Sequence, residues 1–184
     1  QNYTTYKSYY ALFKKTIEND PEYDIKKAQK KLKSYVESHE HAIKKKTGIM
    51  IDHFMDNVIW KKRMGGLAKA MLVTSSRANA VKYKRAFDEH LKKINSPYKS
   101  IVAFSGEIEG QTEVSLNGFP SASIPSEFEQ NEYRFLIVAN KYQTGFDQPL
   151  LHTMYVDKKL QGVLAVQALS RLNRAADKLG KKTE

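Results

Sequence analysis

Phe135–Arg174 reads FLIVANKYQTGFDQPLLHTMYVDKKLQGVLAVQALSRLNR, and this stretch decides the predicted fold. It opens with an apolar run of the kind that forms a strand buried on both faces of a sheet. A polar loop with Gly and Pro follows at 140–149. A second strand is predicted at 153–156, and a helix begins after Gly162. The stretch is therefore one strand, loop, strand and helix unit.

The predicted helix has two different faces. Apolar residues such as Leu169 fall on one side, whereas Gln167, Arg171 and Arg174 gather on the other. Two neighbouring arginine side chains repel each other unless an anion binds between them. The alternative is that this face of the helix is simply exposed to solvent. The loop at 144–147 favours the anion-binding interpretation. It follows the carboxyl end of a strand, which is the usual ligand side of an open parallel sheet.

Composition limits the class of protein. The 184 residues suit one domain with an extension, and 41% hydrophobic with 28% charged residues predicts a soluble protein with a core. There is no cysteine, no apolar run of ~20 residues and no signal-peptide pattern. These features predict a cytoplasmic protein without disulfides or a membrane span. His39 and His41 are two residues apart, so a helix would point them to different faces, and no metal site is predicted.

The net charge is +11, from 31 basic and 20 acidic residues spread over the whole chain. Such a basic surface indicates a polyanionic partner, most often nucleic acid. A merely basic soluble protein is the alternative.

Residues 1–66 are predicted to form an α-helical lead-in segment, and Gly65-Gly66 marks its end. One apolar stripe joins Ile43, Met50, Phe54 and Trp60, and two more precede it at 6–17 and 28–39. The aromatic residues among the lysines could stack on bases. Because they recur at helical spacing, we interpret them as core residues instead.

Residues 67–184 alternate between strand and helix patterns, as α/β chains do. Strands are predicted at 70–74 and 100–104, with a Ser-capped helix between them. Its buried stripe is Ala80, Tyr83, Phe87, Leu91 and Ile94. Asp88-Glu89-His90 begins like an ATPase motif but lies inside this helix, so it is interpreted as a solvated face. Residues 107–132 are polar and predict at most short helices.

Several polar residues lie at predicted strand ends or helix starts: Thr74, Ser75, Ser76, Arg77, Ser105 and Gly106. Hydroxyl and backbone N–H groups in these places can hold phosphates. Ordinary helix capping and turn formation explain the serines equally well, so both interpretations stay open.

Two motifs resemble those of superfamily-two helicases and translocases. Residues 144–149 (TGFDQP) resemble motif V, and 167–174 (QALSRLNR) resemble motif VI, the arginine-finger helix. The longer strings at 34–54, 69–83 and 135–174 resemble one family more specifically, over about residues 25–175. That family is the DNA-translocating (R) subunit of type I restriction endonucleases, in its second RecA-like domain.

The resemblance implies a RecA-like open parallel sheet flanked by helices, preceded by the helical segment. It implies that ATP with Mg²⁺ lies in a cleft, held mainly by the first RecA-like domain. Gly145 and Asp147 would contact ATP, as would Arg171 and Arg174, which with Gln167 would carry catalysis. Thr144 and the strand-end residues would contact nucleic acid.

The chain has no phosphate-binding GxxxxGK[ST] loop, no Walker B strand and no Glu-x-Lys nuclease site. We therefore expect a partial RecA-like domain at 67–184, cut short at Glu184 and inactive alone. Expected partners are double-stranded DNA, the first RecA-like and nuclease domains of the same subunit, and the methylation and specificity subunits. The alternatives are another superfamily-two translocase or helicase, or a non-catalytic basic nucleic-acid-binding module.

Overall fold

The computed structural model describes residues 39–142 and 146–158. They form a parallel sheet with helices around it, so the predicted α/β class is confirmed. The elements are α1 (Glu40–Phe54), β1 (Lys69–Thr74), α2 (Arg77–Lys93), β2 (Lys99–Ala103), α3 (Glu113–Asn117), α4 (Ile124–Glu129), β3 (Tyr133–Val138) and β4 (Leu151–Asp157). A π-helical turn at Met55–Ile59 and 3-10 turns at Arg63–Gly66 and Ser121–Ser123 complete them. The short helices between β2 and β3 were predicted.

The sheet has the strand order β2-β3-β1-β4, and all three pairings are parallel. Val138 of β3 lies opposite both Val73 and Ala103, and Thr74 lies opposite Asp157. Because the strands run the same way, the loops that follow them meet at one edge. This arrangement is consistent with the RecA-like fold.

Apolar side chains cover both faces of β1 and β3. One face belongs to a buried cluster of Met71, Val73, Ile101, Ala103, Ile124, Phe128, Leu136, Val138, Phe146 and Leu151. On the other face, the Phe135 ring contacts Phe54 and Phe87 edge to face, at centroid distances of 4.9 and 5.2 Å. Each fully buried side chain of this size contributes roughly 1.5–3 kcal/mol. The continuous apolar run of β3 follows from this double coverage.

The predicted apolar stripe of the lead-in segment holds for α1 but is wrong for Trp60. Met50 and Phe54 are buried, whereas the Trp60 side chain is 77% exposed. The reason is that α1 ends at Phe54 and a π-helical turn follows, which changes the helical period before residue 60.

Helix α2 begins as predicted at a serine cap. Ser76 has extended backbone angles, and its side chain accepts a hydrogen bond from the Asn79 N–H at 3.1 Å. The predicted stripe is buried along the helix except at Ile94, where the prediction is wrong. Ile94 is the C-cap, and 41% of it is exposed because the helix ends one residue earlier.

Residues 44–66 belong to the same compact unit as the strands. The Tyr155 hydroxyl, for example, donates to the Met50 carbonyl at 3.0 Å. The predicted stripes within 6–17 and 28–38 lie outside the described residues, so the division of the chain at residue 66 stays a prediction. Within the described ranges, no helix is both long and apolar enough to cross a membrane.

Candidate functional site at the carboxyl end of the sheet

The carboxyl end of β1 presents three exposed polar residues in a row. Thr74 is buried, and its hydroxyl lies 3.0 Å from the Val138 carbonyl and 3.1 Å from the Ser76 carbonyl. These contacts fix the turn from which Ser75, Ser76 and Arg77 extend into solvent. The Thr74 hydroxyl thus contacts two backbone carbonyl groups, and its contact with nucleic acid stays a prediction.

Arg77 joins the ends of β1 and β2. Its Nη1 donates to the Ser105 carbonyl at 3.0 Å, across 28 residues of sequence. Gly106 has a φ of +78°, and a Cβ there would lie 3.1 Å from the same Nη1. The positive φ favours glycine at this position, and a larger residue would also have to shift the guanidinium by a few tenths of an ångström. The structure thus brings together Arg77, Ser105 and Gly106, which the sequence placed in one site.

Asn79 fixes the two serines. Its backbone N–H donates to Ser76 Oγ at 3.1 Å, and its Nδ2 donates to Ser75 Oγ at 2.8 Å. The capping interpretation is therefore confirmed for Ser76. Both hydroxyls act as acceptors in these bonds, which leaves their O–H groups oriented by Asn79 and able to donate to an anion.

A buried ion pair connects the loops after β2 and β3. Glu113 is 4% exposed, and its carboxylate receives Lys141 Nζ at 2.7 and 2.8 Å and the Phe104 N–H at 2.6 Å. From the same helix, the Asn117 amide bonds both the N–H and the carbonyl of Val102, at 2.9 and 2.8 Å. Sequence analysis missed these residues, since nothing in the order of residues pairs α3 with strand ends.

The loop after β3 is anchored on both sides of Asp147. Phe146 is buried, with its ring 4.8 Å from the Tyr142 ring and 6.1 Å from that of Phe128. Gln148 is also buried, and its side chain accepts a hydrogen bond from the Leu150 N–H at 3.2 Å. Asp147 between them is exposed. These anchors hold the chain on both sides of Asp147.

Asp157 completes this edge of the sheet at the end of β4. Its carboxylate accepts from the Tyr83 hydroxyl at 2.6 Å and pairs with Lys46 Nζ at 2.7 Å. No sequence pattern pointed to Asp157, because its partners lie on α1 and α2.

The remaining predicted site residues lie outside the described residues: Thr144, Gly145, Gln167, Arg171 and Arg174. Their roles stay predictions. Among the residues that the structure does describe, no group of three or more His, Asp or Glu side chains could hold a metal ion.

The fold and this edge define an open parallel α/β domain whose polar residues converge at the carboxyl ends of its strands, where proteins of this class bind ligands. Residues 122–183 match the family model described as type I restriction enzyme subunit R domain 3. Within the described part, this match covers α4, β3 and β4.

Three curated relatives are named as endonuclease subunits of type I restriction enzymes. The putative type I restriction enzyme MjaIXP endonuclease subunit of Methanocaldococcus jannaschii is 32% identical over 170 residues, 86% of this chain and 15% of its own length. The putative MjaVIIP endonuclease subunit of the same organism is 32% identical over 126 residues, 58% of this chain and 12% of its length. The SsaAORF53P endonuclease subunit of Staphylococcus saprophyticus is 50% identical over 44 residues, 24% of this chain and 5% of its length.

The chain therefore belongs to the R-subunit family of type I restriction enzymes. It spans about 12–15% of the length of the archaeal relatives that it matches.

Proposed function

We propose that this chain is part of the second RecA-like domain of an ATP-dependent DNA translocase, the motor of a type I restriction enzyme. The observation that carries the proposal is the convergence of Arg77, Ser105 and Gly106 at the carboxyl end of a parallel sheet. The family match at residues 122–183, which includes β3 and β4 of the same sheet, supports the proposal. Such subunits act on DNA, and the exposed groups at this edge are donors that suit a phosphate backbone.

Each group at the edge has a distinct role toward DNA. Ser75 and Ser76 donate their O–H groups to phosphate oxygens, aided by the backbone N–H groups at the start of α2. Arg77 donates one N–H to the Ser105 carbonyl, and its other N–H groups donate to the phosphates of the DNA backbone. Thr74 positions these residues, because its hydroxyl is committed to carbonyl groups. Thr144 would add a further contact.

The same edge would face ATP across the cleft to the first RecA-like domain. Gly145 and Asp147 would contact the nucleotide, and the exposed Asp147 carboxylate, held between two buried neighbours, fits that role. Gln167, Arg171 and Arg174 would line the cleft, where the arginines neutralise negative charge. ATP with Mg²⁺, held mainly by the first RecA-like domain, would supply the γ-phosphoryl group that is transferred to water.

In the intact enzyme we expect this domain to work in the cytoplasm beside the first RecA-like and nuclease domains of its subunit. The methylation and specificity subunits would complete the complex. Opening and closing of the nucleotide cleft would move the pair of domains along duplex DNA.

The test is duplex binding by this chain and its Arg77→Ala variant as salt is raised. Weak, sequence-independent binding is expected, of order micromolar or weaker at physiological salt, because the contacts are to phosphates. Arg77→Ala should lower the slope of log K against log salt by about 0.9, the value for one lost phosphate contact. Arg85→Ala, at an exposed arginine further along α2, is the matched control.

An unchanged slope for Arg77→Ala, together with normal folding by circular dichroism, would remove this edge from the DNA path. If duplex DNA did not bind even at low salt, the basic surface would contact the rest of the subunit instead.

A further inference from the structure

A large aromatic side chain is exposed beside a run of basic residues. Trp60 is the single tryptophan of the chain, and 77% of it is exposed. Lys61, Lys62 and Arg63 follow it directly, and both lysines are exposed. An indole in water forgoes much of the stabilisation that burial would give it, so such a residue marks an interaction site more often than a lone exposed leucine does.

The turn that carries Trp60 is held by the core on both sides. Val58 and Met64 are 1% and 3% exposed. Within the turn, Trp60 N–H bonds the Met55 carbonyl and Lys62 N–H bonds the Ile59 carbonyl, both at 2.9 Å. The indole therefore extends from an anchored support rather than from a loose loop.

The backbone of this turn is strained. Lys62 and Met64 have φ values of 50° and 52°, in the left-handed region that residues with a Cβ rarely adopt. Gly65 and Gly66 follow with φ values of 67° and 80°. Strained backbone of this kind clusters where a protein holds side chains for binding. Here it turns the chain directly after the exposed indole and lysines.

We propose that residues 60–63, the tryptophan turn, bind an unpaired nucleic-acid strand. The indole would stack on one base, while Lys61 and Lys62 contact the flanking phosphates. Lys61 Nζ already bonds Asn57 Oδ1 at 2.9 Å, which holds this cation close to the turn. Aromatic stacking next to lysines is the chemistry of single-strand binding, because every base offers a π-face and every nucleotide a negative charge.

The tryptophan turn is separate from the edge discussed above. It precedes the first residue of β1, whereas Ser75 follows the last one. The strand between them, β1, is itself about 17 Å long. The inference thus goes beyond the proposed duplex contact and does not require it, since base stacking needs an unpaired strand.

The single tryptophan allows a direct test with the unmodified chain. Indole fluorescence, excited where tyrosine does not absorb, is recorded during titration with an oligothymidylate and with a duplex of equal length. Stacking predicts strong quenching by the oligothymidylate, and less quenching by the duplex at equal saturation. The free chain should emit like an indole in water.

Variants separate stacking from charge, with binding followed by anisotropy of a labelled oligothymidylate. Trp60→Ala should weaken binding about 5- to 150-fold, the factor that corresponds to roughly 1–3 kcal/mol for one stacked base. The double variant Lys61→Ala/Lys62→Ala should lower the salt slope by about 1.4, for two single-strand phosphate contacts. Val114→Ala, at an exposed apolar residue beside the acidic Glu113, is the control and should bind like the parent.

Three results would overturn the proposal. One is oligothymidylate binding without a change in indole emission, and another is parental affinity of Trp60→Ala. The third is blue-shifted emission of the free chain that reports a buried indole, which would indicate a protein contact at the turn. Because Arg77→Ala tests the other end of β1 with duplex DNA, failure of either proposal can be recognised by itself.

Discussion

The two ends of the sheet hold buried charge in opposite ways. At the carboxyl end, the buried Glu113 carboxylate is matched by Lys141 at 2.7 Å. At the amino end, two cations are buried near each other, with Lys69 fully buried and Arg134 4% exposed. Lys69 Nζ donates to the Gln130 and Tyr133 carbonyls at 2.8 and 2.7 Å, and Arg134 lies over the Tyr98 ring.

This difference between the two ends bears on where a ligand is proposed to bind. At the carboxyl end, the ion pair between Glu113 and Lys141 connects two loops, and its charges cancel. We therefore expect the exposed groups at this end to determine what binds there. The amino end stabilises its cations with carbonyl dipoles and ring faces. Burial, reinforced by Arg134, lowers the pKa of Lys69 to about 8. Desolvation of the Lys69 ammonium therefore lowers folding stability at pH values where this group is charged in the unfolded chain.

The largest expected effect belongs to the proposed chemistry of the carboxyl end. In the intact subunit, Arg174→Ala should lower ATP turnover by roughly 10³–10⁵, or about 4–7 kcal/mol of barrier, as loss of an arginine finger does. DNA affinity should change less than about tenfold. Arg174→Lys should restore little, because a point charge cannot replace the planar fork. Steady-state ATPase rates and DNA affinities are measured on the same preparations.

Arg171→Ala should behave similarly, and Arg85→Ala on α2 serves as the matched control. A large loss of DNA affinity with normal turnover per bound complex would assign Arg174 to the DNA path instead of the nucleotide cleft.

The second prediction concerns a substitution that removes the ion pair between Glu113 and Lys141. Glu113→Ala should lower the free energy of unfolding by about 3 kcal/mol, because it leaves the Lys141 ammonium and the Phe104 N–H without their acceptor. This value is at the lower end for buried pairs, since the Lys141 side chain is 25% exposed. Urea unfolding measures it, with Glu107→Ala at an exposed site as the control.

Glu113→Gln should cost less than Glu113→Ala, because its amide oxygen can still accept from Phe104. Equal stability of Glu113→Ala and the parent would show that the ion pair does not fix these loops.

The third and smallest effect concerns the amino end and pH. Between pH 8 and the higher pKa of an unfolded lysine, the unfolded chain holds the Lys69 proton that the folded chain has released. Folding stability should therefore rise with pH, by about 1–2 kcal/mol between pH 7.5 and 9.5. Lys69→Met should lack this rise, whereas Lys92→Met, at an exposed lysine, should keep it.

Urea unfolding across that pH range measures the slope. Parallel slopes for the parent and Lys69→Met would show that Lys69 keeps an ordinary pKa, stabilised by its two carbonyl contacts. The two ends of the sheet would then differ in how their buried charges are arranged, but not in the pKa of Lys69.

The sequence by itself was enough for the α/β class, the described strands and the start of α2. These features depend on local patterns: a buried strand needs a continuous apolar run, and a helix start needs a cap such as Ser76. It also brought Arg77, Ser105 and Gly106 to one edge, because residues that follow parallel strands must meet there. The resemblance to R subunits rested equally on continuous strings.

Only the tertiary structure decided how charge and aromatic surface are distributed. Glu113 and Lys141 are 28 residues apart, and Lys69 finds its carbonyls 61 and 64 residues away. A local pattern cannot encode such partners, since they depend on how separate elements pack. Trp60 shows the same limit within one segment, because a π-helical turn rotated it away from the stripe that helical spacing predicted. A change of helical period, which the residue spacing did not reveal, left that indole in solvent.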